Sequence, residues 1–161
     1  LGGDHALLGE KVEVEHALEL LHGRLDETAC LDRLLARLAG NARIAFDMSE
    51  VEAINSAGVR NWYRFLSALG AGELLFRRCS VAFTLQACMM PGMTRMGQMT
   101  SVKAPYECDR CGQEVERLLD LVALRDGDRI REPTFPCPCG GRLVLDDTPE
   151  SYFAFLRGQG T

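Results

Sequence analysis

Four of the seven cysteines form two close pairs in the last third of the chain. Cys108 and Cys111 are separated by two residues, Cys137 and Cys139 are separated by one, and a glycine follows each pair. Four thiolates in two pairs suit tetrahedral zinc, and the glycines let the backbone turn its N–H groups towards the sulfur atoms. Because four protein ligands leave no coordination position for water, the pattern predicts a structural zinc ion, Zn2+, rather than a catalytic one.

A redox Cys-x-x-Cys pair is the competing interpretation of Cys108 and Cys111. Redox motifs of this type need a strand that leads into a helix, and this interpretation leaves the second cysteine pair without a role. The spacing of the two pairs instead resembles that of a zinc ribbon whose second knuckle is one residue shorter. The resemblance implies a small, zinc-stabilised module in the last part of the chain.

The remaining cysteines, Cys30, Cys79 and Cys88, lie in apolar or helical contexts and are expected to be small buried hydrophobic residues. An odd number of cysteines with this distribution does not indicate a disulfide framework. Together with opening residues that carry no secretion signal, it predicts a cytoplasmic protein. No segment approaches the roughly 20 apolar residues that span a bilayer, so membrane insertion is not expected.

Ser56 is a second position at which chemistry is expected, between a predicted strand and a predicted helix. Residues 43–47 predict a short strand, and a loop over residues 54–58 then leads into a helix. The apolar face of that helix recurs with helical spacing at Val59, Trp62, Phe65, Leu66 and Leu69. Ser56 stands at the expected N-cap, where its side-chain oxygen would accept a backbone hydrogen bond.

Strands and helices alternate over about the first hundred residues. Strands are predicted around Val12 and Val14, then from Leu18 to the His22-Gly23 step, and at residues 74–76. Helical spacing links Leu31, Leu34, Leu35 and Leu38, and again Val81, Leu85 and Cys88 or Met89. The alternation predicts an α/β layered fold with a mostly parallel sheet. Residues 116–123 fit a helix or a strand, and residues 152–156 predict strands or a short terminal helix.

Residues 20–26, 44–49 and 54–59, taken in this order, resemble the signature of a STAS domain, the anti-sigma-factor antagonist fold. The resemblance extends over about residues 7–104. It implies a STAS-like layered sheet with helices in residues 1–104, followed by the zinc-ribbon module in residues 105–161. The residues that match the family's partner-docking positions are Asp47, Asn55, Ser56, Ala57 and Gly58. Asn55 replaces the usual Asp, and Ala57 replaces a second Ser or Thr.

The resemblance implies a non-enzymatic bacterial signalling adaptor. Its expected partner is a histidine-kinase-type serine kinase or an anti-sigma factor, which would dock at the loop before the second helix. Ser56 is the phosphorylation candidate, because a phosphate at a helix N-terminus gains backbone donors while it adds negative charge to a docking surface. A plain helix cap is the alternative role of Ser56, and whether the chain forms a homodimer stays open.

A nucleic-acid-associated zinc-ribbon protein with a scaffolding STAS-like domain is the alternative function. Charge argues against it, because residues 105–161 contain seven Arg and no Lys against eleven Asp plus Glu. No phosphate loop or hydrolase motif supports an enzyme, and chemistry at Cys30, Cys79 or Cys88 is a weaker third hypothesis. Five of the six methionines lie within residues 89–99, where we expect gap-filling side chains or, alternatively, a docking surface.

Overall fold

A parallel sheet forms the first part of the fold. The computed structural model describes residues 17–127 and 129–158, and within these residues the sheet has four strands in the order β1-β2-β3-β4. The strands are β1 (Ala17–Leu25), β2 (Arg43–Ile54), β3 (Glu73–Arg77) and β4 (Gln98–Met99). The helices α1 (Asp32–Leu38), α2 (Ser56–Leu69) and α3 (Val81–Met89) connect consecutive strands. The predicted α/β architecture with a parallel sheet is confirmed here, whereas the strand expected at Val12 and Val14 lies outside the described residues.

The helices pack on one face of this sheet, because the crossovers run in the same direction along the strand order. An aromatic cluster fills the space between the helices and the sheet. Trp62 of α2 is fully buried, and its ring lies 5.2 Å from that of Phe46 and 5.3 Å from that of Phe65. The predicted apolar face of α2 is therefore the buried face.

Two predicted strand ends were placed too early. β1 continues through Gly23 to Leu25, and β2 continues past Asp47 to Ile54. The pairing between β1 and β2 survives because the register shifts twice, between Leu20 and His22 and between Gly23 and Arg24. Gly23 has φ +78°, a conformation that glycine adopts without strain at such bulges.

Helix α3 has the predicted bounds but buries a different face. Its buried residues are Phe83, Thr84 and Ala87, while Leu85 and Met89 are exposed. Phe83 packs on Phe76 of β3 with the ring centroids 5.9 Å apart. The C-terminal turns of the chain cover the helix from the other side, so tertiary contacts rather than the local pattern set the buried face.

A second, antiparallel sheet follows, with the order β6-β5-β10-β9 among the described residues. It consists of β5 (Ser101–Cys108), β6 (Glu114–Asp120), β9 (Phe135–Pro136) and β10 (Arg142–Leu145). Residues 116–123 resolve into the end of β6 and a short helix, α4 (Leu121–Leu124), which leads to the small hairpin of β7 (Arg125–Asp126) and β8 (Arg129–Ile130). The chain closes with α5 (Pro149–Tyr152) and a 3-10 turn (Ala154–Gly158).

The predicted boundary between residues 104 and 105 falls inside strand β5. Side chains alternate along this strand, and Val102, Ala104, Tyr106 and Cys108 are all buried. The start of β5 also pairs with the first part of the fold, because the Cys79 N–H donates to Ser101 O at 3.0 Å and the Lys103 N–H donates to Cys79 O at 2.8 Å. One continuous hydrophobic core therefore serves both sheets.

The C-terminal turns lie against α3. Tyr152 is fully buried and donates its hydroxyl to Lys103 O at 2.5 Å, while the Cys88 thiol donates to Tyr152 O at 3.1 Å. Burial raises the pKa of the Tyr152 hydroxyl well above its ordinary range. Tyr152 thus packs against the first part of the chain.

Candidate functional site

The four paired cysteines come together at one end of the antiparallel sheet. Their Sγ atoms all lie within 4.8 Å of one another. Cys108 Sγ is 3.5 Å from Cys139 Sγ, and Cys111 Sγ is 3.8 Å from Cys137 Sγ. With a Zn–S bond of about 2.3 Å, neighbouring sulfur atoms of a tetrahedral site stand about 3.8 Å apart. The cluster therefore has the donor set and the spacing that a zinc ion requires.

These separations exclude disulfide bonds within the cluster. A disulfide holds its sulfur atoms at about 2.05 Å, and all four cysteines are free. Cys108 and Cys137 are buried, while Cys111 and Cys139 are exposed at the rim. A metal in this position would take four sulfur ligands, which closes a tetrahedral shell and suits a structural role.

Strand ends position both cysteine pairs. Cys108 ends β5, and Cys137 directly follows β9. Each pair then turns back tightly, with the Gly112 N–H donating to Cys108 O at 3.0 Å and the Gly140 N–H donating to Cys137 O at 3.0 Å. Gly112 and Gly140 have φ +68° and +85°, which is why glycine follows each pair. The antiparallel pairing of Leu143 with Cys108 brings the two turns face to face.

Backbone N–H groups point at the sulfur atoms, as predicted from the glycine that follows each cysteine pair. The Arg110 N–H donates to Cys108 Sγ at 3.4 Å, and the Gly141 N–H donates to Cys139 Sγ at 3.4 Å. Such donors stabilise thiolate ligands and fix their orientation. Hydrogen bonds from the Cys111 and Arg110 N–H groups lower the pKa of Cys108 to about 6. At Cys139 the Gly141 N–H acts in the same direction, but the neighbouring thiols and burial raise the pKa to about 12.

The two cysteine turns are also tied directly to each other. The Arg142 N–H donates to Asp109 Oδ1 at 2.8 Å, and the Asp109 N–H donates to Arg142 O at 2.9 Å. A Cβ atom on Gly141 would lie 2.8 Å from Cys108 Sγ and 2.8 Å from Asp109 Oδ1. Only glycine fits at this position, because any side chain would push the two turns apart. The spacing of the cysteines identifies neither Asp109 nor the requirement for glycine at position 141.

The start of α2 differs from the prediction in its cap. Asn55 is the N-cap residue, and its Oδ1 accepts a hydrogen bond from the Gly58 N–H at 2.8 Å. Ser56 is the first residue of the helix and is exposed. The predicted cap, Ser56, is therefore one residue after the true cap. Strand β2 ends at Ile54 and the helix begins at Ser56, so Asn55 alone connects them. The side chain of Ser56 is therefore not committed to capping.

The loop before α2 packs against the C-terminal end of β1. A Cβ atom on Gly58 would lie 1.8 Å from Leu25 O, so α2 approaches this strand at a distance that only glycine permits. The Asn55 N–H donates to Leu25 O at 3.3 Å, and Asn55 Nδ2 donates to Glu27 Oε2 at 2.9 Å. Asn55 and Ser56 are exposed, Ala57 is half-buried and Gly58 is buried. The loop is thus a polar surface feature whose backbone lies against the end of β1.

Asp47 lies away from this loop. It precedes Asn55 by eight positions, a path of about 25 Å along an extended strand. Its side chain is buried, accepts hydrogen bonds from Arg78 and accepts the Ser49 N–H at 3.0 Å. The structure therefore places Asp47 where β2 meets the loop after β3. The other four docking candidates, residues 55–58, lie together at the start of α2, away from Asp47.

The three remaining cysteines are not alike. Cys79 is fully buried, and burial raises the pKa of its thiol well above the ordinary range. Cys88 is half-buried, and burial likewise raises its pKa. Cys30 is exposed, so its expected burial was wrong: it lies in the loop before α1, where apolar neighbours in sequence do not cover it.

Comparison of the chain with protein-family models, with curated proteins and with solved structures gave no match. No helix within residues 17–127 and 129–158 is long and apolar enough to cross a membrane.

Proposed function

We propose that this chain is a zinc-stabilised, non-enzymatic signalling adaptor that docks a protein partner through the loop at the start of α2. The observation that carries the proposal is the arrangement of residues 55–58, which expose polar groups while Gly58 and the Asn55 cap hold their backbone against β1. Docking surfaces work best when a rigid element presents them, because little conformational entropy is lost on binding. The resemblance of the chain to STAS domains supports the same location.

Ser56 is the proposed switch of this surface. It is exposed in the first turn of a helix of 14 residues, where a phosphate would meet the positive end of the helix dipole and nearby backbone N–H groups. Phosphorylation would add roughly −1.5 to −2 charges beside Glu27, which contacts Asn55. The added negative charge would oppose an acidic or apolar partner surface, so the phosphorylated form would release its partner. The expected partner remains a histidine-kinase-type serine kinase or an anti-sigma factor.

The cysteine cluster has a supporting role in this proposal. Its two turns on an antiparallel sheet resemble a zinc ribbon, and the closed set of four sulfur ligands favours structural zinc. The metal would join two cysteine turns that the hydrogen bonds between Asp109 and Arg142 already connect, and so would fix them more firmly. When bound, zinc supplies folding stability and no reaction chemistry.

Mass spectrometry of the protein purified from its source cell tests both parts of the proposal. A native mass with one zinc ion more than the denatured mass is expected, and a phosphate that disappears in Ser56→Ala would identify the switch. Protein without zinc would refute the metal assignment. A phosphate retained in Ser56→Ala would move the switch to another residue.

A charge substitution tests the docking loop separately. Ser56→Asp is expected to reduce the amount of co-purified, chemically cross-linked partner by at least tenfold, because it places a negative charge in the contact. Ser67→Asp is the matched control, since Ser67 is exposed on the same helix three turns away. Equal partner recovery with both variants would remove Ser56 from the docking surface.

A further inference from the structure

An open apolar groove lies between α2 and the segment that follows α3. Its volume is about 500 Å³, and its lining includes Tyr63, Met89, Met90 and Met93. Tyr63 is 51% exposed, Met89 is 70% exposed and Met90 is 38% exposed. Met93 is buried and forms the floor. Large apolar side chains that remain exposed beside one another mark an interaction surface rather than an unfinished core.

The composition of this groove fits a protein partner. Tyr, Met and Arg are enriched at protein interfaces, and methionine side chains adapt their shape to what they bind. The groove runs beside α2, whose 14 residues extend about 21 Å. A second helix laid along α2 could place its apolar side chains between Tyr63 and Met89. The methionine-rich segment thus forms a surface as well as filling gaps.

The charges around the groove have one sign. Arg60 and Arg64 line it, and α2 contains no Asp or Glu. Met89, Met90, Gly92 and Met93 form the opposite wall, and the segment that contains them, residues 81–94, has no charged residue. The chain as a whole carries a net charge of −5, so this positive patch is a local exception. A complementary partner would bring carboxylates to Arg60 and Arg64.

We propose that this groove binds an amphipathic helix of a partner protein whose apolar stripe is flanked by Asp or Glu. The inference extends the proposed docking function to a second surface and names the chemistry of the partner. A second copy of this chain fits less well, because a twofold contact would set the arginines of one copy against those of the other. An acidic helix satisfies both the apolar floor and the two guanidinium groups.

Paired peptides test the groove on the full, zinc-loaded chain. One helical peptide of about 16 residues carries a leucine stripe flanked by Glu, and its twin carries Lys in place of every Glu. We expect the Glu peptide to bind at least tenfold more tightly than the Lys peptide. Amide chemical shifts should change at residues 59–64 and at residues 89, 90, 92 and 93. Equal affinity for the twins, no binding of either, or shift changes confined to other surfaces would overturn the proposal.

Substitutions then assign the contacts. Met89→Ala and Tyr63→Ala should each weaken the Glu peptide at least fivefold, and the double change Arg60→Glu with Arg64→Glu should reverse the preference between the twins. Val122→Ala is the control, because Val122 is an equally exposed apolar residue that does not line the groove. Unchanged affinity in the groove variants would overturn the proposal, as would dimerisation of the free chain that Tyr63→Ala abolishes. Ser56→Ala should leave peptide binding unchanged. The peptide experiment therefore tests the groove alone, and the partner-recovery experiment with Ser56→Asp tests the docking loop.

Discussion

Arg78 Nε lies 2.8 Å from Asp47 Oδ2, and a second guanidinium nitrogen of Arg78 contacts the same oxygen. Arg78 adopts φ 47°, a left-handed conformation that is unfavourable for a residue with a side chain. Its N–H also donates to Ser101 Oγ at 2.8 Å. The pair therefore connects β2, the loop after β3 and the first residue of β5, which explains how the strained backbone is retained.

Replacement of Asp47 should reveal this connection in the pH dependence of stability. Burial alone would raise the pKa of Asp47, but the hydrogen bonds from Arg78 and Ser49 outweigh it and hold the pKa below the ordinary 3.8. Stability from this carboxylate is thus present above the ordinary pKa and is lost as pH falls through the lower folded-state pKa. Near neutral pH, Asp47→Asn should lower the free energy of unfolding by about 2 kcal/mol.

The difference in the free energy of unfolding between the wild-type protein and Asp47→Asn should shrink as the pH falls below about 4, because the protonated carboxyl group of Asp47 then resembles the amide of Asn. Urea unfolding over a pH series measures it. A constant difference down to the most acidic pH would contradict the role of the Asp47 charge.

Alanine substitutions distinguish Asn55 from Ser56 as the cap of α2. Asn55→Ala should reduce the free energy of unfolding by about 1 kcal/mol, because the Gly58 N–H loses its acceptor. Ser56→Ala should change it by less than about 0.5 kcal/mol, as expected for an exposed residue. Chemical denaturation of both variants gives the comparison, and a larger loss in Ser56→Ala would return the cap to Ser56.

A methyl group at Gly141 should weaken metal binding. In Gly141→Ala the new Cβ would overlap Cys108 Sγ and Asp109 Oδ1, so the turns could not close around the ion. We expect a loss of at least tenfold in zinc affinity, measured by competition with a chromogenic chelator. Gly92→Ala is the matched control, because a Cβ there meets nothing within 4 Å. Equal zinc affinities of Gly141→Ala and Gly92→Ala would show that the two turns can move apart without weakening zinc binding.

Zinc removal should destabilise the whole fold rather than the antiparallel sheet alone. Trp62 is the single tryptophan and is fully buried under the parallel sheet, so its fluorescence reports on the part of the fold that lies away from the cysteines. Because both sheets share one core, chelation should lower the midpoint of the Trp62 thermal transition by at least about 10 °C. The variant Cys30→Ser should keep both the metal and the midpoint. An unchanged Trp62 transition after chelation would mean that the sheets unfold separately.

The local sequence pattern predicts an element correctly where the apolar residues of that pattern are the ones that are buried. The apolar stripe of α2 is buried as predicted because the sheet lies directly beneath it, and the paired cysteines converge because each pair sits at the end of a strand. The face of α3 could not be predicted in the same way. Tyr152 covers that helix from a position more than sixty residues later, and no local period carries this information.

The same limit applies to the residues around the candidate sites. Arg78 was not identified because an arginine after a strand has no distinctive pattern, and its partner is 31 positions away. The Asn55 cap was missed because the predicted strand ended at Asp47, which left room for a long loop, whereas β2 continues to Ile54 and only Asn55 joins it to α2. Asn is as good a cap as Ser, so the composition of the loop did not distinguish them.

The alternation along β5 restricts how the chain can change in length. Val102 is in the shared core and Cys108 is in the cysteine cluster, and both side chains point to the same face because Cys108 follows Val102 by an even number of positions. Inserting or deleting one residue between them would turn Cys108 to the opposite face of the sheet and remove one metal ligand. Natural variation in the length of this strand is therefore expected to occur in steps of two residues.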